Sequence, residues 1–99
     1  MTAISDQAPV KKVARISAHS GRESALKDAL RILETATREE SGCVEFTFFQ
    51  AISDPASFIL LEQFTNSDAF DAHMQMPHTQ AFFKTQLVAA VRAVDAPSI

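Results

Sequence analysis

Two of the three histidines in this chain, His73 and His78, lie close together in the stretch HMQMPHTQAFF. Histidine is the side chain that most readily gains and loses a proton near neutral pH, so both are candidates for a general base or acid. Glu62 stands among the apolar residues of the segment FILLEQF. A carboxylate buried there needs a hydrogen-bonded partner, and a histidine is one such partner. A pair of this kind would orient the imidazole for proton transfer.

The same residues also have ordinary structural interpretations. A histidine on an apolar helix face is more often a packed, hydrogen-bonded residue than a catalyst. His78 follows Pro77 at a predicted helix start, where it would cap the helix or lie in solvent. The phenylalanines belong first to a core and only second to the wall of a ligand site. They are Phe46, Phe48, Phe49, Phe82 and Phe83.

Metal binding is not expected from the spacing of these residues. His73 and His78 are five residues apart with Pro77 between them, so they do not form the i, i+4 pair on one helix face that helical zinc sites use. A single cysteine, Cys43, excludes an intrachain disulfide and any site built from several cysteines. Glycine-rich nucleotide loops and the Gly-x-Ser-x-Gly pattern do not occur, so nucleotide binding and serine hydrolysis lack support.

Composition predicts a single globular domain over residues 11–99, preceded by a flexible N-terminal tail at 1–10. The chain of 99 residues is 46% hydrophobic and carries eight phenylalanines. Its net charge of −3 comes from interspersed acids and bases, and without a basic stripe neither nucleic acid nor an anionic membrane is an expected partner. A signal peptide and an apolar window of about 18 residues are also missing from the sequence, which predicts a cytoplasmic protein.

The order of predicted elements is β-α-β-β-α-β. The signals favour a strand at 12–19, a helix at 22–41 ended by Gly42, and strands at 43–50 and 58–65. A second helix is predicted from about Asp68, with capping residues at 66–68, and Pro77 either ends this helix or starts the next. A further helical piece with Phe82, Phe83 and Leu87 then precedes a strand at 91–94. This order predicts an α+β domain of the ferredoxin-like class, with an antiparallel sheet and the helices on one face.

Both faces of the predicted sheet are apolar. In the third strand Phe58, Leu60 and Phe64 share one face, while Ile59 and Leu61 occupy the other. Helices cover only one of these faces, and most soluble oligomers are symmetric homodimers. The pattern therefore predicts a homodimer whose two sheets pack face to face.

Several motifs together resemble the antibiotic biosynthesis monooxygenase family of dimeric α+β barrels. They are Gly21 after the first strand, EESGC at 39–43, FILLEQF at 58–64 and AFDAHMQMPHTQAF at 69–82. The likeness runs from about Val13 to Val94 and is strongest to the quinol monooxygenase type. In that type a Glu-Gln-aromatic segment precedes a helix ending in Ala-His-x-x-x-Pro-His, as in 62–64, 72–73 and 77–78 here.

This resemblance implies a ferredoxin-like subunit, a dimer that closes a barrel, and an apolar pocket between sheet and helices. It also implies oxidation of a quinol or related hydroxy-aromatic by molecular oxygen, without metal, flavin or heme. The roles that follow are His73 as base, Glu62 as its orienting partner, and His78 as a second acid or base or a substrate donor. The pocket walls are expected to be Phe64, Phe46, Phe82 and Phe83.

Two departures from the family pattern shape this expectation. The aromatic residue after Glu-Gln is often Trp in the family and is Phe64 here, which removes an indole N–H donor. Heme-degrading relatives carry an axial histidine in the later helix, where this chain has Phe82 and Phe83.

Two other functions fit the same resemblance. One is an isomerase of a phosphorylated signalling sugar, which would need clustered cationic side chains. The other is a non-catalytic, stress-responsive dimeric barrel that binds a small apolar ligand.

Overall fold

A computed structural model describes residues 8–96 and shows the predicted α+β architecture. The elements in chain order are β1 (Val10–Ala18), α1 (Glu23–Thr37), β2 (Cys43–Gln50), β3 (Ser57–Phe64), α2 (Ser67–Gln75), α3 (Pro77–Lys84) and β4 (Val88–Asp95). The four strands form one antiparallel sheet in the order β2-β3-β1-β4. The ferredoxin-like prediction is therefore confirmed, with its second helix divided into α2 and α3.

The predicted N-terminal tail falls mainly on residues that the structure does not describe. Residues 1–7 lie outside the described residues, and Val10 is already the first residue of β1. Among residues 8–96, no helix is both long enough and apolar enough to cross a membrane.

One face of the sheet carries the core beneath the helices. The alternation of β3 places Phe58, Leu60 and Phe64 on this face, each at most 6% exposed. Ile59 and Leu61 are only half-buried on the opposite face. Helix α1 adds three buried leucines to the same core: Leu26, Leu30 and Leu33. The two faces of β3 predicted from the alternation of its residues are thus the two faces of the folded strand.

Helix α1 ends earlier than its sequence pattern predicts. Its last residue is Thr37 and its C-cap is Arg38, so Gly42 does not cap the helix. Gly42 instead permits a close approach of two segments, because a Cβ atom added there would lie 2.4 Å from the Cβ of Ala69 in α2. The glycine is needed for packing between the α1–β2 connection and α2, and the prediction of a C-terminal cap is wrong.

Substituting Gly42 by alanine is expected to destabilise the fold by about 1–3 kcal/mol, because the new methyl group overlaps Ala69 and the backbone must shift. Urea unfolding at fixed protein concentration measures this change. The neighbouring exposed residue offers a matched control, and Ser41→Ala should change the free energy of unfolding by less than about 0.5 kcal/mol. Equal effects of the two substitutions would contradict the packing role of Gly42.

A sharp corner separates α2 from α3. The side chain of Asn66 accepts a hydrogen bond from the backbone N–H of Ala69 and begins α2, as the capping residues predict. Met76 is extended, with φ −64° and ψ 145°, and Pro77 begins α3. This corner places His73 in the last turn of one helix and His78 in the first turn of the next.

The C-terminal part of the fold corrects two predicted boundaries, one of which is the start of β4 at Val88 and not at 91. Leu87 was expected in the last helical piece, but α3 ends at Lys84 and Leu87 lies in the connection to β4. Its side chain is nevertheless buried in the core, at 7% exposure. Burial of an apolar residue outside the helix explains why hydrophobic periodicity extended the predicted helix too far.

Candidate active site

A cavity of about 860 Å³ lies between the helix-covered face of the sheet and the helices. Its wall is mainly apolar and takes in residues of all four strands and all three helices. Three of the four predicted wall residues line it, namely Phe46, Phe82 and Phe83. A cavity of this size and character suits a small aromatic or aliphatic ligand.

Four side chains that carry or can gain charge line this apolar cavity: Lys12, His19, Glu62 and His73. Lys12 is the one lysine or arginine among the lining residues in the described part of the chain. Its Nζ atom lies 2.8 Å from Oδ1 of Asp95 and 5.3 Å from the ring centre of Phe70. Since Lys12 stands alone and is already paired, the lining residues between 8 and 96 offer no cluster of lysines and arginines for a phosphate group.

Glu40 joins the two histidines of the α2–α3 corner. Its Oε2 atom lies 2.9 Å from Nδ1 of His73 and 2.5 Å from Nε2 of His78. The side chains of Glu40 and His73 are 6% and 5% exposed, and that of His78 is 23% exposed. Two hydrogen bonds to one carboxylate oxygen therefore compensate for burying this carboxylate.

These contacts determine which nitrogen of His73 is free. A carboxylate oxygen only accepts hydrogen bonds, so His73 donates from Nδ1–H and His78 from Nε2–H. A neutral imidazole carries one N–H, which leaves the lone pair of His73 on Nε2. This tautomer is assigned from the hydrogen-bond network. It is the state that a general base requires.

Aromatic rings hold His73 in place. The ring centres of Phe64 and Phe46 lie 4.9 Å and 5.2 Å from that of His73, and the ring centre of Phe70 lies 6.4 Å away. Phe64 is fully buried and is not among the residues that line the cavity, in contrast to its predicted role as a pocket wall. Its place beneath α2 makes it a support for the histidine ring.

Glu62 lies on the cavity wall but is not the residue that holds His73. The sequence favoured a Glu62–His73 pair, whereas the structure places Glu40 on Nδ1 of this histidine. In the sheet Glu62 is paired across the strands with Lys12 and Phe46. Burial raises the pKa of the Glu62 carboxyl to about 7, and the nearby Lys12 only partly opposes this rise. Glu62 is thus a separate titratable group of the same cavity.

The raised pKa of Glu62 predicts a pH-dependent stability. The folded protein holds this proton more tightly than the unfolded chain, so stability falls as pH rises from about 4.5 to 7. Glu62→Gln should remove this loss and raise the free energy of unfolding at pH 8 by about 1–2 kcal/mol, since partial exposure screens the full effect. Urea unfolding at pH 5 and pH 8 tests this, with the exposed Glu39→Gln as control. If the free energy of unfolding depended on pH in the same way in wild type and in Glu62→Gln, the raised pKa of Glu62 would be contradicted.

The structure also brings together a set of metal-ligating atoms that the sequence spacing did not reveal. The ligand atoms of Glu40, His73 and His78 all lie within 4.8 Å of one another. The i, i+4 spacing applies to one continuous helix, whereas the corner at Met76 and Pro77 brings the two histidines from separate helices to one carboxylate. The spacing of the two histidines in the sequence therefore does not keep these ligand atoms apart.

Glu40 is the functional candidate that sequence reasoning missed. It lies in the EESGC segment, yet no role was assigned to it there. One signal was available: Glu39 and Glu40 follow the C-terminal end of α1, where the helix dipole disfavours negative charge. This signal does not single out Glu40, because it applies equally to the exposed Glu39.

Comparisons with known proteins agree with this architecture. Residues 9–85 match the family model described as antibiotic biosynthesis monooxygenase. The chain is 31% identical to "Putative monooxygenase Rv0793" of Mycobacterium tuberculosis over 70 aligned residues. The aligned region covers 71% of this chain and 68% of the relative.

Solved structures show the same fold over nearly the whole chain. The protein PA3566 from Pseudomonas aeruginosa superimposes with a TM-score of 0.87 and 26% identity, covering 95% of this chain and 97% of the other. The structure of Rv0793 gives a TM-score of 0.79 and 27% identity, with 93% and 97% covered. The protein SO0527 from Shewanella oneidensis superimposes with a TM-score of 0.82 and 27% identity, covering 91% of this chain and 90% of the other.

Proposed function

Because this chain belongs to the antibiotic biosynthesis monooxygenase family, we propose that it oxidises a quinol or related hydroxy-aromatic with molecular oxygen and without a cofactor. The observation that carries the proposal is the Glu40-held imidazole of His73 on the wall of an apolar cavity. This reaction requires a base in a cavity that excludes water, since the deprotonated substrate itself reduces oxygen.

The reaction balances without a further reductant. His73 Nε2 takes a phenolic proton, and the resulting anion passes electrons to oxygen as a bond forms between a ring carbon and one oxygen atom. The hydroperoxide receives the proton from His73. It then loses water as the O–O bond breaks and the ring C–H proton leaves, which gives a carbonyl. A quinol and oxygen thus yield a hydroxyquinone and water, with one oxygen atom in each product.

The other groups of the site have separate roles in this proposal. Glu40 is a positioning residue that fixes the tautomer of His73, in the way that a carboxylate orients a catalytic or metal-binding imidazole. Glu62, on the same cavity wall, hydrogen-bonds a substrate oxygen. His78 shares the carboxylate of Glu40 and acts as a second acid or base through it.

Oxygen uptake by chelator-treated protein tests the proposal, with a panel of naphthohydroquinones and hydroxyanthracenes as substrates. Wild type should consume oxygen, Glu40→Gln should be at least about tenfold slower, and the exposed Glu39→Gln should match wild type. Absence of uptake across the panel would refute the proposal. Thermal stabilisation by quinones alone would then favour a binding protein, and stabilisation by sugar phosphates an isomerase.

We also propose that two copies of the chain pack through the uncovered sheet face. The strand register places two rows side by side on this face, one of Thr47, Leu61, Val13 and Val94 and one of Phe49, Ile59, Arg15 and Arg92. Phe49 and Val94 are 50% and 55% exposed in the single chain. Covering the apolar residues of this face by an identical face would form a symmetric dimer.

Sedimentation velocity at micromolar concentration tests this assembly. Wild type should sediment as a dimer, and Leu61→Asp should sediment as a monomer because it places a charge in the centre of the face. Ile32→Asp is the matched control, since Ile32 is 70% exposed on α1 away from the sheet. A wild-type monomer would refute the proposed dimer.

A further inference from the structure

We propose that Glu40, His73 and His78 bind a divalent transition ion, with Zn²⁺ as the expected occupant, and that the bound ion switches off His73 as a base. Ion binding itself does not depend on the proposed oxidation. The inhibitory consequence rests on the proposed function, so the two are tested separately.

The ligand set suits zinc in kind and in spacing. Two imidazole nitrogens and one carboxylate oxygen are a common protein donor set for zinc, with a fourth position left for water. Neighbouring ligand atoms around a tetrahedral zinc ion are about 3.4 Å apart, given bond lengths near 2.1 Å. Here the two nitrogens lie 2.9 Å and 2.5 Å from the same oxygen of Glu40, and all three atoms lie within 4.8 Å. Widening the two N···O separations by about 0.5–0.9 Å would bring them to this spacing.

The fold already positions these ligands. Glu40 comes from the segment after α1, His73 from the last turn of α2 and His78 from the first turn of α3. Glu40 and His73 are almost fully buried, and the packing of Phe46 and Phe64 on His73 limits the movement of its ring. Little conformational entropy would be lost on binding, which favours affinity.

The ion site shares only His73 with the wall of the cavity. His73 is among the residues that line the cavity, whereas Glu40 and His78 are not. An ion held between Nδ1 of His73, Glu40 and His78 would therefore leave the cavity free. This placement indicates a regulatory ion and not one that contacts the substrate.

Proton placement explains why the ion and the base are mutually exclusive. In the hydrogen-bonded state Nδ1 of His73 carries the proton and Nε2 carries the lone pair. An ion on Nδ1 takes the lone pair of that atom, so the ring's proton must lie on Nε2. His73 then presents a donor to the cavity and cannot accept a substrate proton. Bound zinc should lower kcat and leave KM nearly unchanged.

Cobalt titration of the chelator-treated full chain tests the site without any activity measurement. Co²⁺ should give the visible absorption bands of a tetrahedral site, saturating at one ion per chain. Glu40→Gln and His78→Gln should lose these bands, and calorimetry should show zinc binding weakened by at least about 100-fold. Glu39→Gln and His19→Gln should retain both signals. The absence of saturable bands in wild type, or bands that survive His78→Gln, would overturn the site.

The inhibitory arm uses the substrate found in the oxygen-uptake assay. Zinc should lower the kcat of wild type in proportion to occupancy, EDTA should restore it, and His78→Gln should keep its own metal-free rate when zinc is added. Zinc-saturated wild type with unchanged or raised kcat would overturn the switch. If metal-free protein consumes no oxygen while Co²⁺ binds as expected, the proposed oxidation fails and the ion site stands.

Discussion

His73→Ala is expected to lower kcat for quinol-dependent oxygen uptake by about 10²–10⁴-fold, the usual contribution of a positioned general base. The expectation follows from geometry, since His73 is a residue of the cavity wall and Glu40 occupies its Nδ1, which leaves Nε2 as the proton acceptor. KM should change less than kcat, because the base acts on the transition state more than on substrate binding. Steady-state oxygen electrode measurements separate the two constants.

Imidazole rescue gives the His73 experiment a second, specific readout. Removing the ring leaves space in a wall already shaped by Phe46 and Phe64, so added imidazole should restore part of the lost rate. A thermal unfolding curve of His73→Ala shows whether the variant is folded at the assay temperature. A folded variant with the wild-type rate would remove His73 from the mechanism.

Phe46→Ala is expected to reduce the free energy of unfolding by about 3–5 kcal/mol, the largest stability effect predicted for this chain. Phe46 is 1% exposed and contacts the rings of Phe48, Phe64 and His73. Truncation would leave a void beside the existing cavity, and the surrounding rings lose their packing partner. Urea unfolding monitored by circular dichroism measures the loss.

Val44→Ala on the same strand is the matched control for Phe46→Ala. Val44 is 57% exposed, so its truncation should change the free energy of unfolding by less than about 0.5 kcal/mol. Both variants must be compared at one protein concentration, because dimerisation would couple stability to concentration. A loss below about 1 kcal/mol for Phe46→Ala would show that the packing of Phe46 contributes little to the stability of the core.

Local sequence signals predicted much of the fold because local chemistry determines those features. Strand β2 has the predicted bounds, Asn66 caps α2, and Pro77 marks the start of α3. The alternation of Phe58, Leu60 and Phe64 against Ile59 and Leu61 matches the two faces of β3. Each feature depends on a few neighbouring residues or on a strict period of two.

The candidate site was less predictable because its key contacts join distant parts of the chain. Glu40 is 33 residues from His73 and 38 residues from His78, and no periodicity connects such positions. The apolar neighbours of Glu62 in the sequence therefore favoured this carboxylate as the predicted partner of His73. The prediction that Gly42 caps α1 is wrong for a related reason. Capping signals depend on neighbouring residues, whereas the close approach of Gly42 to Ala69 is a tertiary contact.

Turnover under ¹⁸O₂ is the most direct test of the central claim, that a Glu40-held His73 supports oxygenation without a cofactor. Chelator-treated protein is incubated with the best hydroquinone of the panel, and the product is analysed by mass spectrometry. The predicted result is one ¹⁸O atom in each product molecule, at a rate that added flavin or metal does not raise and that His73→Ala abolishes. Product without ¹⁸O, or turnover that requires an added flavin or metal, would contradict the account.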